Sequence, residues 1–349
     1  MHIHILGVCG TFMAGLASIV KSLGHKVTGS DINFYPPMSE QLNELGIKVY
    51  EDYSSSQLQD EPDQVIVGNV MTRGHEVIET LLEKNIPFTS GPQWLYENVL
   101  RERYVIAVSG THGKTTTSSM LAWILEDNGL NPSYLIGGVP KNFKASSRLS
   151  ESKFFVIEAD EYDSAFFDKR PKFIHYHPKI NIINNLEFDH IDIYKDLDEI
   201  LSQFHQLIRI MPRHGKLIIN GDDKNIQDLV KRGYWSEIES FGYQEKCDWR
   251  AKLEKKNNLE ISNKSSCTYK KEWKIDGEYN IENALGAIAA ANVIGISPEN
   301  SLQSLTKFAG VKRRFEYVGN FSDIIIYDDF AHHPTSIDKT IRDIMKIYP

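Results

Sequence analysis

The sequence predicts an α/β protein built on parallel sheets, and three observations carry that prediction. Short apolar runs alternate with amphipathic stretches through the first hundred residues, the pattern of βαβ units. A second series begins at Tyr104, where an apolar run leads through a glycine loop into a helical pattern. Two further runs, 154–157 and 180–183, are apolar throughout, as strands covered on both faces require.

In chain order, 2–6, 26–29, 64–68 and 86–88 read as buried strands, with helical patterns at 12–23 and 38–45 between them. The strand 104–109 feeds the loop 110–113 and a helix over 114–127, where Leu121, Ile124 and Leu125 take the i, i+3, i+4 spacing of a core face. Residues 245–276 are polar, rich in Lys, Asn and Ser, and alternate as a solvent-facing hairpin or edge insertion would. Leu285, Ile288, Ala289 and Val293 mark an amphipathic helix near residue 290. After Gly310, 315–318 and 324–327 read as strands, and Pro334 opens a helix. This last unit holds too little apolar sequence for a domain-sized core, so the chain reads as one that stops inside its third domain. The expected division is an N-terminal Rossmann-like parallel sheet over 1–100, a central P-loop ATPase-type α/β domain over 101–312, and the start of a third Rossmann-like domain over 313–349.

Composition narrows the partners. The 349 residues are 41% hydrophobic and 25% charged, the balance of a globular protein, with a formal net charge of −8. That charge argues against nucleic acid as a main partner, while leaving loops and helix ends able to hold small anions. The three cysteines, Cys9, Cys247 and Cys267, form no CxxC pair and no disulfide framework, which points to a reducing compartment. The first ten residues lack a basic n-region, and no apolar run approaches the ~20 residues of a membrane span. A cytoplasmic protein is expected, with no membrane partner and no obligate protein partner.

The chemistry concentrates at strand ends, where open α/β sheets bind ligands. Gly110, Thr111, His112, Gly113, Lys114, Thr115 and Thr116 lie between a strand and a helix, as a phosphate loop requires. Lys114 is placed to meet β/γ charge, and the Thr115 hydroxyl to meet Mg²⁺. The loop departs from GxxxxGK[ST] at Val108, and a strand–turn–helix corner with a capping lysine is the alternative. Glu158 closes a buried strand opposite Thr115, a position for a Mg²⁺ ligand. His190 ends the next strand segment; its chemistry alone favours a hydrogen-bonding role, since magnesium prefers oxygen. His175 and His177 alternate along an expected strand without a carboxylate at ligand spacing and read as structural. At the N-terminus, GxGxxG from Gly7 fails at Cys9 and Phe12, which disfavours a dehydrogenase. Gly7, Gly10 and Gly15 still permit a tight turn into a helix N-terminus able to hold a diphosphate, and Asp31 follows the second strand where a ribose or uracil would lie.

These motifs resemble the Mur ligase family. The loop from Gly110 to Thr117 is similar to the GT-x-GKT-T loop of Mur ligases and folylpolyglutamate synthetases. The segments NNLEFDH (184–190), EYNIENA (278–284, with Tyr279 where histidine is commoner) and DDFAHHP (328–334) resemble Mur ligase segments. So does GVCGTFM (7–13) followed by SDINFYPPM (30–38), in the form found in the branch that adds a murein tripeptide. The resemblance implies an ATP- and Mg²⁺-dependent amide ligase. It would join L-alanyl-γ-D-glutamyl-meso-diaminopimelate to UDP-N-acetylmuramate through an acyl phosphate, in peptidoglycan recycling. It implies that Thr115, Glu158 and His190 hold metal and that Asn280 and Asn283 bind adenine. Arg314 would contact phosphate, and Asp329 with His333 would cover the ribose. Gly7, Gly10, Thr11, Phe12, Met13 and Asp31 would serve the UDP-sugar. Lys114, Glu158, His190 and Arg314 would be catalytic. L-Alanine as acceptor is the nearest alternative, and a non-catalytic sensor of UDP-sugar and ATP the alternative from another class.

Overall fold

The computed structural model describes residues 1–349 except 35, 37, 190–192, 255–257, 265, 266, 274, 276, 278 and 349. The first unit runs β1 (His2–Leu6), α1 (Thr11–Ser22), β2 (Lys26–Ser30), α2 (Met38–Glu44) and β3 (Lys48–Tyr50). It continues with β4 (Gln64–Val67), α3 (Glu76–Glu83), β5 (Phe88–Ser90) and α4 (Gly91–Asn98). Its five strands are all parallel, in the order β3-β2-β1-β4-β5. The β1→α1 connection is therefore flanked by β2 and β4, so the glycine turn after Leu6 opens at the carboxyl edge of the sheet. The last strand begins at Phe88, two residues later than its apolar run suggests, because Ile86 is taken up in the turn after α3.

The central unit opens with β6 (Tyr104–Ser109), α5 (Lys114–Asp127), β7 (Ser133–Leu135), β8 (Ser147–Arg148) and β9 (Phe154–Glu158). A small hairpin of β10 (Asp163–Ala165) and β11 (Asp168–Pro171) precedes β12 (Ile180–Ile183), α6 (Leu197–Arg209), β13 (Lys216–Asn220), α7 (Lys224–Lys231) and β14 (Glu237–Gly242). Then come β15 (Trp249–Glu254), β16 (Asn258–Asn263), β17 (Thr268–Glu272), α8 (Tyr279–Val293) and α9 (Pro298–Leu305). Ten strands form one sheet in the order β17-β16-β15-β14-β13-β12-β6-β9-β7-β8. The stretch from β14 to β7 is parallel, and the polar segment near 245–276 adds an antiparallel edge through β15, β16 and β17. β6 lies between β12 and β9, so the loop after β6 is bordered by the ends of both neighbours. Residues 172–175 form a 3₁₀ turn, and His177 follows it with φ of 44°, so the expected strand through His175 and His177 is absent.

Two apolar layers cover the central sheet. On one face α5, α8 and α9 pack over Ile106, Val108, Ile182 and Ile218; the alanines of α8 (Ala284, Ala287, Ala289, Ala290, Ala291) allow close approach to α5. On the other face a continuous apolar cluster joins Ile3, Ile5 and Leu16 of the first unit to Leu135, Phe155, Phe173 and Phe204 of the central one. The join is tight at Gly15, where an added Cβ would lie 2.3 Å from Leu135 Cδ1, and Ser147 Oγ donates to Gly15 O at 3.0 Å.

The third unit is the hairpin β18 (Glu316–Phe321) and β19 (Ile324–Asp328) followed by α10 (Pro334–Ile347). Residues 310–312 tie it to the central unit: Lys141 N donates to Gly310 O and Lys312 N to Val139 O. Its outer apolar side chains are open to solvent, with Phe321 72% and Met345 65% exposed. Among the described residues no helix is long and apolar enough to cross a membrane.

Candidate active site

The phosphate loop takes the shape its glycines permit. Gly110 has φ of 122° and Gly113 φ of 79°, backbone that other residues adopt only with strain. A Cβ on Gly113 would lie 2.3 Å from Asn283 Oδ1, so the loop and the start of α8 touch where only glycine fits. The loop after β12 braces it from the other side. Thr111 N donates to Asn185 O at 3.0 Å, His112 N to Asn185 Oδ1 at 2.7 Å, and Asn184 Nδ2 to Thr117 Oγ1 at 2.9 Å. The sequence places both asparagines in the segment after the strand 180–183 without giving either a role; two adjacent carboxamides closing a buried strand are the signal for one.

Lys114 folds back over this loop. Its Nζ donates to Gly110 O at 2.6 Å and to both oxygens of Glu161, at 2.9 and 3.1 Å. Burial works to lower its pKa, but the charges of Glu161, Asp160 and Glu158 outweigh that and hold it above its ordinary value. Thr115 Oγ1 donates to Glu158 Oε1 at 3.0 Å, and Gly137 N donates to Glu158 Oε2 at 2.6 Å. Burial raises the Glu158 carboxyl above the usual range despite Lys114 and these donors. Arg314 of the third unit donates to Thr115 Oγ1 at 3.1 Å, and its guanidinium lies 4.9 Å from the Phe330 ring centre. Thr115 thus draws together Glu158 and Arg314, distant from it and from one another in sequence, beside the ammonium of Lys114, on which the charge of Glu158 acts.

Asn280 and Asn283 lie buried on the first turns of α8, joined by an amide hydrogen bond of 3.1 Å. Asp329 is at the cavity wall, its carboxylate accepting from Phe315 N and Ala331 N. His333 is not at the wall; His332 is. His333 instead accepts from Thr335 N at the start of α10 and packs its ring 4.7 Å from that of His112. Glu187 joins the two units there: Thr335 Oγ1 donates to its Oε2 at 2.7 Å, with His112 Nε2 at 3.3 Å and His333 Nδ1 at 3.6 Å. Burial pushes the His112 pKa below its ordinary value, and Glu187 opposes the shift. His190 lies outside the described residues.

In the first unit, Gly7 has φ of 76° and donates to Ser30 O, which starts the turn into α1. Residues 10–13 at the helix start line the cavity; Gly7 and Asp31 do not. Asp31 is 5% exposed and accepts from Cys9 N at 2.8 Å, Asn33 N at 3.0 Å and the Tyr53 hydroxyl at 3.3 Å. It therefore braces the glycine turn from behind, where the sequence reading expected contact with ribose or uracil. Gly15, read as part of the turn, serves the join between units. His175 is held structurally, but a carboxylate is close: its Nε2 lies 3.0 Å from Asp168 Oδ2, and Nδ1 contacts Gln93 at 2.8 Å.

A single cavity of about 680 Å³ is lined both by residues 10–13 and by the loop 111–116, with Glu158, Asn280, Asn283 and Arg314 on its walls. Lys172, which the sequence reading passed over, is also on the wall, 8% exposed, with Nζ 3.0 Å from Asp160 Oδ2.

A glycine loop after β6 and a glycine turn after β1 border one cavity of an α/β fold, and the chain belongs to the Mur ligase family of ligases. Residues 108–291 match the Mur ligase middle domain, and residues 2–103 match the Mur ligase family catalytic domain. The chain is 52% identical over 98% of its length to the UDP-N-acetylmuramate–L-alanyl-γ-D-glutamyl-meso-2,6-diaminoheptandioate ligase of Escherichia coli K12, of which it spans 75%. The structure of a murein peptide ligase from Psychrobacter arcticus 273-4 superposes with a TM-score of 0.89 at 46% identity, covering 99% of this chain and 76% of that one. A UDP-N-acetylmuramate–L-alanine ligase of Clostridium botulinum strain Langeland is 33% identical over the whole chain, which spans 74% of it.

Proposed function

We propose that the protein joins L-alanyl-γ-D-glutamyl-meso-diaminopimelate to the lactyl carboxylate of UDP-N-acetylmuramate, with ATP converted to ADP and phosphate. The cavity shared by the N-terminal glycine turn and the phosphate loop carries the reading, since a UDP-sugar held at the one and a nucleotide held at the other would turn their reacting ends to the same space. The tripeptide is favoured over L-alanine as acceptor by 52% against 33% identity to the respective relatives. We assign residues 1–100 to the UDP-sugar, 101–312 to ATP and 313–349 to covering the nucleotide.

A carboxylate is a poor electrophile, and transfer of a phosphoryl group makes it an acyl phosphate that the peptide amine can attack. Most of the protein's work is then positioning and charge stabilisation. On this reading residues 10–13, at the start of α1, hold the diphosphate with helix N-terminal amides. The ammonium of Lys114 leaves Glu161 for the β/γ-phosphates. Asn280 and Asn283 offer carboxamides to adenine, and Asp329 accepts ribose hydroxyls. Arg314, already at Thr115, neutralises charge on the transferring group, and closure of the third unit keeps water from the acyl phosphate. Mg²⁺ fits the hard oxygen donors of Thr115 and Glu158, and a buried carboxylate with a raised pKa is one that a cation would keep ionised. His190 completes that set in the family resemblance. Bound there, the ion would offset phosphate charge.

The test is an ATP-dependent coupling assay with UDP-N-acetylmuramate and either the tripeptide or L-alanine. Coupling of the tripeptide with release of ADP is expected. Preference for L-alanine would move the protein to the alternative acceptor, and binding of both nucleotides without phosphate release would make it a sensor.

A further inference from the structure

Lys169, Arg170 and Lys172 put three cations in four residues, yet the structure treats the third differently. Lys169 and Arg170 are exposed, with side chains 70% and 57% accessible, and pair with Asp163 and Asp168 on the surface. Lys172 is 8% exposed and turns into the active-site cavity. A lysine withdrawn from water needs a compensating anion, and in the structure Asp160 Oδ2 supplies it at 3.0 Å. The ammonium also lies 5.6 Å from the ring centres of Phe12 and of Tyr162.

These neighbours fix its place. Phe12 belongs to the first turn of α1, beside the expected diphosphate site. Asp160 is two residues beyond Glu158, and its charge acts on Lys114 as well as on Lys172. Lys172 thus stands between the two loops. A carboxylate that is to be phosphorylated must lie in that gap if its diphosphate sits at 10–13 and the donor phosphate at Lys114. Lys114, bound to Glu161 and committed to phosphate, cannot also orient it.

We propose that Lys172 is the carboxylate anchor of the cavity: its ammonium exchanges Asp160 for a carboxylate of a substrate lying between the N-terminal turn and the phosphate loop. This rests on the function proposed above. The lactyl carboxylate of the UDP-sugar is the group the geometry favours; the carboxylates of the peptide are the second source of the same chemistry. Asp160 is then the resting counter-ion, with a side chain 29% accessible and so better able than the lysine to turn toward water when displaced.

The experiment is calorimetric titration of UDP-N-acetylmuramate and of its lactyl methyl ester into the unaltered protein, Lys172→Met, Lys172→Arg and Asp160→Asn. The unaltered protein should bind the acid about tenfold to a hundredfold more tightly than the ester, the range of a charge-assisted hydrogen bond. Lys172→Met should abolish that ratio, Lys172→Arg should restore part of it, and Asp160→Asn should enlarge it by removing the competing anion. If Lys172→Met does not fold, the Asp160→Asn ratio decides alone. An unchanged acid-to-ester ratio with a raised KM for the tripeptide but not for L-alanine would assign the anchor to the peptide. An unchanged ratio with unchanged acceptor KM would overturn the proposal and leave a structural ion pair. Failure of the unaltered protein to bind the UDP-sugar would instead overturn the proposed function, and the anchor with it.

Discussion

Glu161→Gln isolates the resting ion pair of the phosphate loop. The two side chains are 11% and 4% accessible, and the contact is double, at 2.9 and 3.1 Å. Removing one partner of a buried pair costs about 3–5 kcal/mol, because the other charge is left uncompensated. Glutamine keeps one acceptor oxygen and Lys114 keeps Gly110 O at 2.6 Å, so the lower end applies, about 3 kcal/mol. If the central unit unfolds as a block, that corresponds to a melting temperature lower by about 6–12 °C. Nucleotide should narrow the gap. In the unaltered protein phosphate competes with Glu161 for the ammonium; in the variant that competitor is gone, so MgATP should stabilise the variant by more than it stabilises the parent. Differential scanning fluorimetry across an ATP titration reads both effects. A variant as stable as its parent without ligand, with no larger gain on adding ATP, would refute the idea that Glu161 holds Lys114 in reserve.

Three further outcomes follow from the same geometry. Lys114→Ala should abolish coupling and weaken ATP binding, checked by ADP release and nucleotide titration; kinetics like the parent's would remove the phosphate-loop assignment. Gly113→Ala places a Cβ 2.3 Å from Asn283 Oδ1 at φ of 79°, so it should cost about 1–3 kcal/mol of strain and reduce ATP affinity more than UDP-sugar affinity, measured by titrating each ligand. His4, held between Thr28 and Ser30, has its pKa lowered by burial to about 4 from 6.5. Its stabilisation is complete above about pH 6.5 and erodes as pH falls toward 4, where the unfolded chain binds the proton first; the total is about 3 kcal/mol. NMR titration of His4 should show a neutral ring at pH 5.5, and a cationic ring there would contradict the burial argument.

Much of the site was legible because its parts obey local rules. A strand, a glycine loop and a lysine at a helix start are contiguous, so Lys114 and Thr115 could be read directly. Glu158 followed from a fully apolar strand ending in an acid. What escaped depends on contacts between segments distant in sequence. Nothing near Asp31 reveals that Cys9 and Tyr53 will also use its carboxylate, which ties the glycine turn to the end of β2. Lys172 sits in a basic run that reads as surface, and only the fold separates it from Lys169 and Arg170. His333 was legible as part of a motif, but which of two adjacent histidines faces the cavity is set by helix capping at α10. The 3₁₀ turn at 172–175 and the residues after it could not be told from a strand, since His175, Tyr176 and His177 alternate over too few residues to separate the two patterns.

The continuous apolar cluster between the first and central sheets, sealed at Gly15 against Leu135, has a consequence for how such a ligase can change in evolution or engineering. The first hundred residues are not an interchangeable cartridge. A donor-binding segment grafted from a protein of different sequence would bring a helix that must still lack a side chain at its fifth residue, the place of Gly15, and an underside that must still fill the gaps around Phe155 and Phe173. New donor specificity therefore has to arise in place, by substitutions along the cavity rim.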